Sequence, residues 1–159
     1  MLREELMSRS ITATRRKKMN KLKVLAVFGT RPEAIKMAPL CIELQSRPEI
    51  ECRICLTAQH RGMLDTVMDN FGLSADYDLD VMTPGQTLCG ITSKVISGME
   101  GVIADFDPKI VLVHGDTTTT LSAALAAFYC GCEVGHVEAG LRTWDKLSPY
   151  AEELNRMVT

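Results

Sequence analysis

Long apolar runs and a strong excess of charge of either sign are both missing from this 159-residue sequence. No apolar stretch approaches the roughly 18–20 residues that a membrane-spanning helix needs, so we expect no membrane partner. The formal net charge is only −2, so the chain as a whole lacks the basic surface typical of nucleic-acid-binding proteins. Repeats and low-complexity segments are absent too, which leaves an ordinary globular protein.

The composition fits one domain. The chain is 46% hydrophobic and 24% charged, and it is long enough to bury a sizeable core. Residues 1–22 form a basic stretch, with four consecutive cations at 15–18, and contain no apolar segment long enough for a secretory signal. We interpret residues 1–22 as a disordered tail, residues 23–159 as the domain, and the location as cytoplasmic.

Six cysteines raise the question of a metal site, because Cys52 and Cys55, and also Cys130 and Cys132, are closely spaced. Cys52 and Cys55 lie in a β-type run, where positions three apart face opposite sides of a sheet. They cannot both bind one ion without a bend in the strand. We therefore expect free thiols in a reducing compartment and no metal.

Apolar strand-like runs alternate with helical patterns along the chain. This order implies right-handed βαβ crossovers and predicts an α/β fold with a Rossmann-like, doubly wound, mostly parallel sheet. The predicted strands are 23–28, 51–56, 77–81, 110–114 and 133–138, and the predicted helices are 32–45, 60–71, 87–104 and 117–130.

Capping signals support the first of these helices. Thr30 and Glu33 have the spacing of a capping box, and Pro32 lies in the first turn. For the helix at 117–130, either Asp116 or Thr117 is a suitable N-cap.

A further helix is predicted near the chain end, with Ser148 as N-cap and Pro149 at its first position. It reaches Thr159 without a C-cap signal, which is typical of truncation within a longer protein.

Charged residues follow three of the predicted strands. Because parallel strands place their carboxyl ends at one edge of the sheet, we expect Arg31, Lys36, Asp116 and Glu138 to converge on one crevice. For three of them a simpler interpretation exists. Asp116 is also suited to cap a helix, Glu138 to pair with Arg142 or a histidine, and Lys36 to lie in solvent.

Five segments together resemble the non-hydrolysing UDP-N-acetylglucosamine 2-epimerases. They are GTRPEAIKMAPL (29–40), TAQHRGML (57–64), HGDTTTT (114–120), VGHVEAGLRT (134–143) and SPYAEELNR (148–156). Members of that family have two Rossmann-like domains in a GT-B arrangement, with the active site between them. The resemblance implies that this chain is the amino-terminal domain alone, without the second domain.

The resemblance also implies a reaction and its residues. UDP-GlcNAc and UDP-ManNAc are interconverted by loss and re-addition of UDP, without a cofactor or metal, and the full-length enzyme is expected to be a homodimer. The matching catalytic carboxylates are Asp116, Glu138 and Glu152, with Glu153 as a solvated neighbour of Glu152. The substrate-binding positions are Arg31, Lys36, His60 and Arg142.

Two other functions stay open on the sequence. A GT-B glycosyltransferase would share the fold but would not need the three carboxylates. A domain without its second half would be folded but non-catalytic, because a cleft with one wall does not exclude water. We therefore expect the isolated chain to be inactive or nearly so.

Overall fold

The computed structural model describes residues 20–57 and 61–159. Residues 1–19 of the predicted tail and His60 lie outside this range. The described elements are β1 (Leu22–Phe28), α1 (Arg31–Ser46), β2 (Ile50–Leu56), α2 (Arg61–Phe71), β3 (Tyr77–Asp78), α3 (Leu88–Phe106), β4 (Ile110–His114), α4 (Thr118–Tyr129), β5 (Glu133–Val137) and α5 (Glu152–Val158).

The five strands form one sheet in the order β3-β2-β1-β4-β5, and every pair of neighbours is parallel. The strand order reverses direction at β1, since the chain moves outward through β2 and β3 before it crosses to β4. This is the doubly wound topology, and the predicted fold class is confirmed.

Apolar residues on both faces of the central strand explain why helices cover the sheet on two sides. In β1, Val24 to Phe28 are all buried, as expected for a strand inside a parallel sheet. One face packs against α1 and α2 through residues such as Met37 and Leu64. The other packs against α3 and α4 through residues such as Met99 and Ala123.

The predicted capping box is present. Thr30 accepts a hydrogen bond from the Glu33 amide, and the Glu33 carboxylate accepts one from the Thr30 amide. At α4 the cap is Thr117, whose hydroxyl accepts from the Thr120 amide at 3.2 Å. The carboxylate of Asp116 is therefore not needed as a cap.

Two predicted boundaries were wrong. The strand predicted at 77–81 ends at Asp78, because Asp80 has a φ of 43°, outside the extended region. The last helix begins at Glu152, not at Pro149, and its N-cap residue, Ala151, makes no side-chain cap bond. Ser148 is instead part of the preceding loop, where its carbonyl accepts from the Thr143 hydroxyl at 2.5 Å.

Cys52 and Cys55 face opposite sides of the sheet, as predicted. The Cys52 thiol interacts with the thiol of Cys41 on α1, and this interaction lowers the pKa of Cys52. The Cys55 sulfur lies 4.0 Å from Met99 of α3, and burial raises the pKa of the Cys55 thiol to about 12. The pair therefore cannot close on a single ion in this conformation.

The β5 side of the sheet leaves apolar surface uncovered. Phe128 and Tyr129, at the end of α4, are 71% and 69% exposed. A groove of about 670 Å³ lies beside them, between α4, β5 and the end of α5. None of the helices in the described part of the chain is long and apolar enough to cross a membrane.

Candidate functional site

The candidate site is a cleft of about 320 Å³ at the carboxyl ends of β1 and β4. This is the switch point of the sheet, where doubly wound folds bind ligands. The loop after β1, the start of α1, the loop after β4 and the residue after β5 all contribute to it. Its lining residues are Thr30, Pro32, Glu33, Lys36, His114, Gly115, Asp116, Thr117 and Glu138.

Glu138 lies at one side of the cleft and makes two polar contacts. Its Oε2 atom is 2.5 Å from Nζ of Lys36 and 3.3 Å from Nε2 of His114. Its backbone has a φ of 61°, a left-handed conformation that costs a residue with a Cβ roughly 1–2 kcal/mol. A strained residue that carries a carboxylate into a crevice is a functional candidate.

Two neighbouring side chains act on the acidity of Glu138. The Lys36 ammonium, hydrogen-bonded to the carboxylate, and secondly His114 hold the pKa of Glu138 below its ordinary value. Glu138 therefore stays ionised at neutral pH and can accept a proton. Of the two simpler partners considered for it, a histidine is present, and Arg142 is bound elsewhere.

Asp116 also lines the cleft and is held by α5. Nη2 of Arg156 lies 2.7 Å from Oδ2 of Asp116, and the amide group of Asn155 donates to the Asp116 carbonyl at 2.8 Å. A second guanidinium nitrogen, Nη1, donates to the carbonyl of Leu141 at 2.5 Å. Arg156 thus joins the loop after β4 to the loop after β5.

A buried carboxylate occupies the N-terminus of α1. Glu33 accepts from the amides of Gly29 and Thr30 at 2.8 Å and from the Thr117 hydroxyl at 2.7 Å. These amides are therefore not free to bind an anion. A cation at this end of the cleft, such as Lys36, is better placed for that role.

Glu153 organises the loop between β5 and α5. The prediction that its side chain faces solvent was wrong. The residue is 1% exposed. Its carboxylate accepts two hydrogen bonds from Arg142 at 2.8 and 2.9 Å and further ones from the amides of Thr143 and Trp144. Bonds from Arg142 and from these amides lower the pKa of Glu153 to about 2. The sequence suggested solvent because acidic residues in a first helical turn usually face water.

Three other predicted site residues, Arg31, Arg142 and Glu152, are not among those that line the cleft. Arg31 lines a separate groove of about 360 Å³ between α1 and α2. Of the four residues expected to converge on one crevice, three do so, namely Lys36, Asp116 and Glu138. Arg142 is paired with Glu153. Glu152 begins α5, and its Oε2 atom is buried without a partner among the described residues. His60 is outside the described range.

Two contacts were not identified from the sequence, that of Arg156 with Asp116 and that of Glu33 with the Thr117 hydroxyl. A histidine was considered as a partner of Glu138, but it was not singled out as His114. His114 and Arg156 both stand at positions that the sequence makes recognisable, since His114 ends a strand and Arg156 lies four residues after Glu152. Their contacts with Glu138 and Asp116 could not be predicted, because the residues in contact are 24 and 40 positions apart in the chain.

Fold and site together define a Rossmann-like α/β domain with a carboxylate-containing crevice at its switch point. The sequence profile of the UDP-N-acetylglucosamine 2-epimerase family matches residues 42–159. The chain belongs to this family, and the resemblance seen in its motifs is confirmed.

Individual members of the family also match most of this chain. The curated UDP-N-acetylglucosamine 2-epimerase of Salmonella typhimurium is 58% identical over 138 residues, which are 87% of this chain and 37% of that protein. A crystal structure of the Neisseria meningitidis enzyme bound to UDP-GlcNAc is 58% identical, with a TM-score of 0.84 over 86% of this chain and 37% of that one. A Methanocaldococcus jannaschii structure with UDP-GlcNAc and UDP is 34% identical over 86% of this chain and 37% of that one, with a TM-score of 0.79. This chain therefore spans about 37% of the length of the relatives it matches.

Proposed function

We propose that this domain is one wall of the active site of a UDP-N-acetylglucosamine 2-epimerase, which interconverts UDP-GlcNAc and UDP-ManNAc. The observation that carries the proposal is the pairing of Glu138 with Lys36 in the switch-point cleft, which Asp116 also lines. Relatives whose structures contain UDP-GlcNAc support the substrate class.

The proposed reaction has two halves. In the first, a carboxylate takes the proton from carbon 2 of the sugar, the bond from carbon 1 to the UDP oxygen breaks, and a double bond forms between carbons 1 and 2. In the second, a proton is delivered to carbon 2 from the opposite face while UDP returns to carbon 1. Two carboxylates on different sides of the sugar are suited to these transfers.

The cleft supplies candidates for each requirement. Glu138 and Asp116 enter it from different strands, and Glu152 lies on the helix that holds Asp116. Lys36 is 51% exposed on its side chain, so it can also reach a diphosphate that leaves the sugar. Arg31, His60 and Arg142 are proposed to bind the substrate when the rest of the enzyme is present. None of these steps uses a cofactor or metal.

The direct test incubates the purified chain with UDP-GlcNAc and resolves UDP-ManNAc, free UDP and ManNAc. Because the open cleft does not exclude water, we expect no turnover or very slow turnover. Robust epimerisation by the 159-residue chain would contradict this expectation. Transfer of the sugar to an added acceptor, without epimerisation, would favour the glycosyltransferase alternative.

Two further features are proposed for the full-length enzyme, a homodimer and a cytoplasmic location. Free thiols at all six cysteines fit a reducing compartment. Sedimentation of the full-length enzyme and fractionation of cells that express it would test the two features separately.

A further inference from the structure

The imidazole of His114 is buried, and its two nitrogens lack close hydrogen-bond partners among the described residues. The residue is 4% exposed, at the last position of β4. Neither Nδ1 nor Nε2 makes a hydrogen bond of ordinary geometry to the described residues. A buried polar group without a partner costs about 1–3 kcal/mol, so its presence calls for an explanation.

The nearest polar group to Nε2 is the carboxylate of Glu138. The distance of 3.3 Å to Oε2 is slightly long for a hydrogen bond. The same oxygen binds Lys36 at 2.5 Å.

Both contacts therefore fall on one oxygen of Glu138. Its other oxygen, Oε1, accepts no hydrogen bond from any residue that the structure describes. The side chain is 27% exposed and lines the cleft. Lys36 approaches from α1 and His114 from β4, so the carboxylate is held from two directions.

We propose that His114 is a positioning residue that acts with Lys36 to hold Oε2 of Glu138, so that Oε1 is the oxygen directed at the substrate. This assignment rests on the proposed function for the identity of the substrate, but the anchoring itself does not require it. His114 does not transfer a proton to the sugar. It fixes the orientation of the carboxylate that does.

The anchoring predicts the state of the imidazole. Nε2 must carry a hydrogen to interact favourably with Oε2, whether the ring is neutral or charged. Nitrogen NMR of the 159-residue chain, labelled at histidine and measured at neutral pH, reports this state without a substitution. Protonated Nε2 in the His114 signal supports the proposal. A ring protonated only at Nδ1 would overturn it.

Titration of Glu138 is the second measurement, followed by carbon NMR of labelled carboxyl groups in the 159-residue chain. The charged and titratable groups around Glu138 are Lys36 on α1 and His114 on β4, with Glu33 and Asp116 also lining the cleft. We expect the wild-type Glu138 carboxyl to titrate below its ordinary range. Lys36→Met should raise its midpoint, and His114→Phe should also raise it because the ring volume remains while the donor is lost.

Two variants separate this role from a structural one. His114→Gln keeps a neutral donor and should restore part of the downward shift in the Glu138 pKa. His136→Phe is the matched control, because His136 lies at the end of β5 but bonds the Gly115 carbonyl at 2.6 Å instead of Glu138. It should leave the Glu138 midpoint unchanged. An unchanged midpoint in folded His114→Phe would overturn the proposal, while inactivity of the chain toward UDP-GlcNAc would not affect the result.

Discussion

The contact between Arg156 and Asp116 is expected to be a major source of stability at the site. The Arg156 side chain is 8% exposed and that of Asp116 is 29% exposed. Arg156→Met keeps the length of the side chain but removes the charge and the bond to the Leu141 carbonyl. Breaking a fully buried ion pair costs roughly 3–5 kcal/mol. Asp116 can be partly hydrated, so we expect a smaller loss of about 1–3 kcal/mol in unfolding free energy.

Urea unfolding followed by circular dichroism measures this loss. With a slope of about 2 kcal/mol per molar urea, the midpoint should fall by about 0.5–1.5 M. Arg47→Met is the matched control, because Arg47, just past the end of α1, pairs with Glu43 of that helix and both side chains are more than half exposed. Its midpoint should hardly change. If Arg156→Met and Arg47→Met shift the midpoint equally, the assignment of Arg156 as a structural link between the two loops is wrong.

Three further outcomes are expected. Because the folded-state pKa of Glu153 is about 2, below its ordinary 4.5, the carboxylate stabilises the fold above pH 4.5 and this contribution is lost as the pH falls toward 2. Glu153→Gln should therefore be less stable near neutral pH and should lose less stability on acidification, which urea midpoints across pH 2–6 would show. A Cβ at Gly29 would overlap Oγ1 of Thr57, so Gly29→Ala should cost about 1–3 kcal/mol by thermal unfolding, and adding Thr57→Ala should recover part of the loss. The exposed apolar surface around Phe128 should cause self-association at high concentration; a strictly monomeric chain by sedimentation would contradict this, and Phe128→Glu should weaken the association.

Local signals predicted much of the fold. The alternation of strands and helices, the capping box at Thr30 and Glu33, and the opposite faces of Cys52 and Cys55 depend on neighbours in the chain, and all appear in the structure. The sheet order was not predicted, because the crossover rule sets the handedness of each βαβ unit but not which strands lie side by side. The end of β3 was predicted at residue 81 instead of Asp78, because a left-handed Asp80 leaves little trace in composition.

The site was less predictable, because its contacts join distant segments. Glu138 and Asp116 were found from their places after strands, but the partner of each is on another element. Glu153 shows the limit most clearly. An acidic residue in a first helical turn usually faces solvent, and here a loop folded over it supplies four hydrogen bonds. Its burial depends on the conformation of that loop, which no local sequence pattern predicts.

The catalytic role of Glu138 is best tested in a completed enzyme. A chimera with residues 20–159 in place of the matching segment of the Neisseria meningitidis relative would supply the remaining length. Glu138→Gln is near-isosteric and removes the basic carboxylate, so its fold and substrate affinity should change little.

The decisive measurement is epimerisation of UDP-GlcNAc by this chimera in deuterated water, with and without Glu138→Gln. We predict that the unsubstituted chimera turns over and places deuterium at carbon 2 of recovered substrate. In Glu138→Gln, both turnover and exchange should fall by about 100-fold or more, the usual scale for a lost acid or base. Unchanged turnover and exchange in a folded Glu138→Gln chimera would contradict the central claim and assign Glu138 to structure.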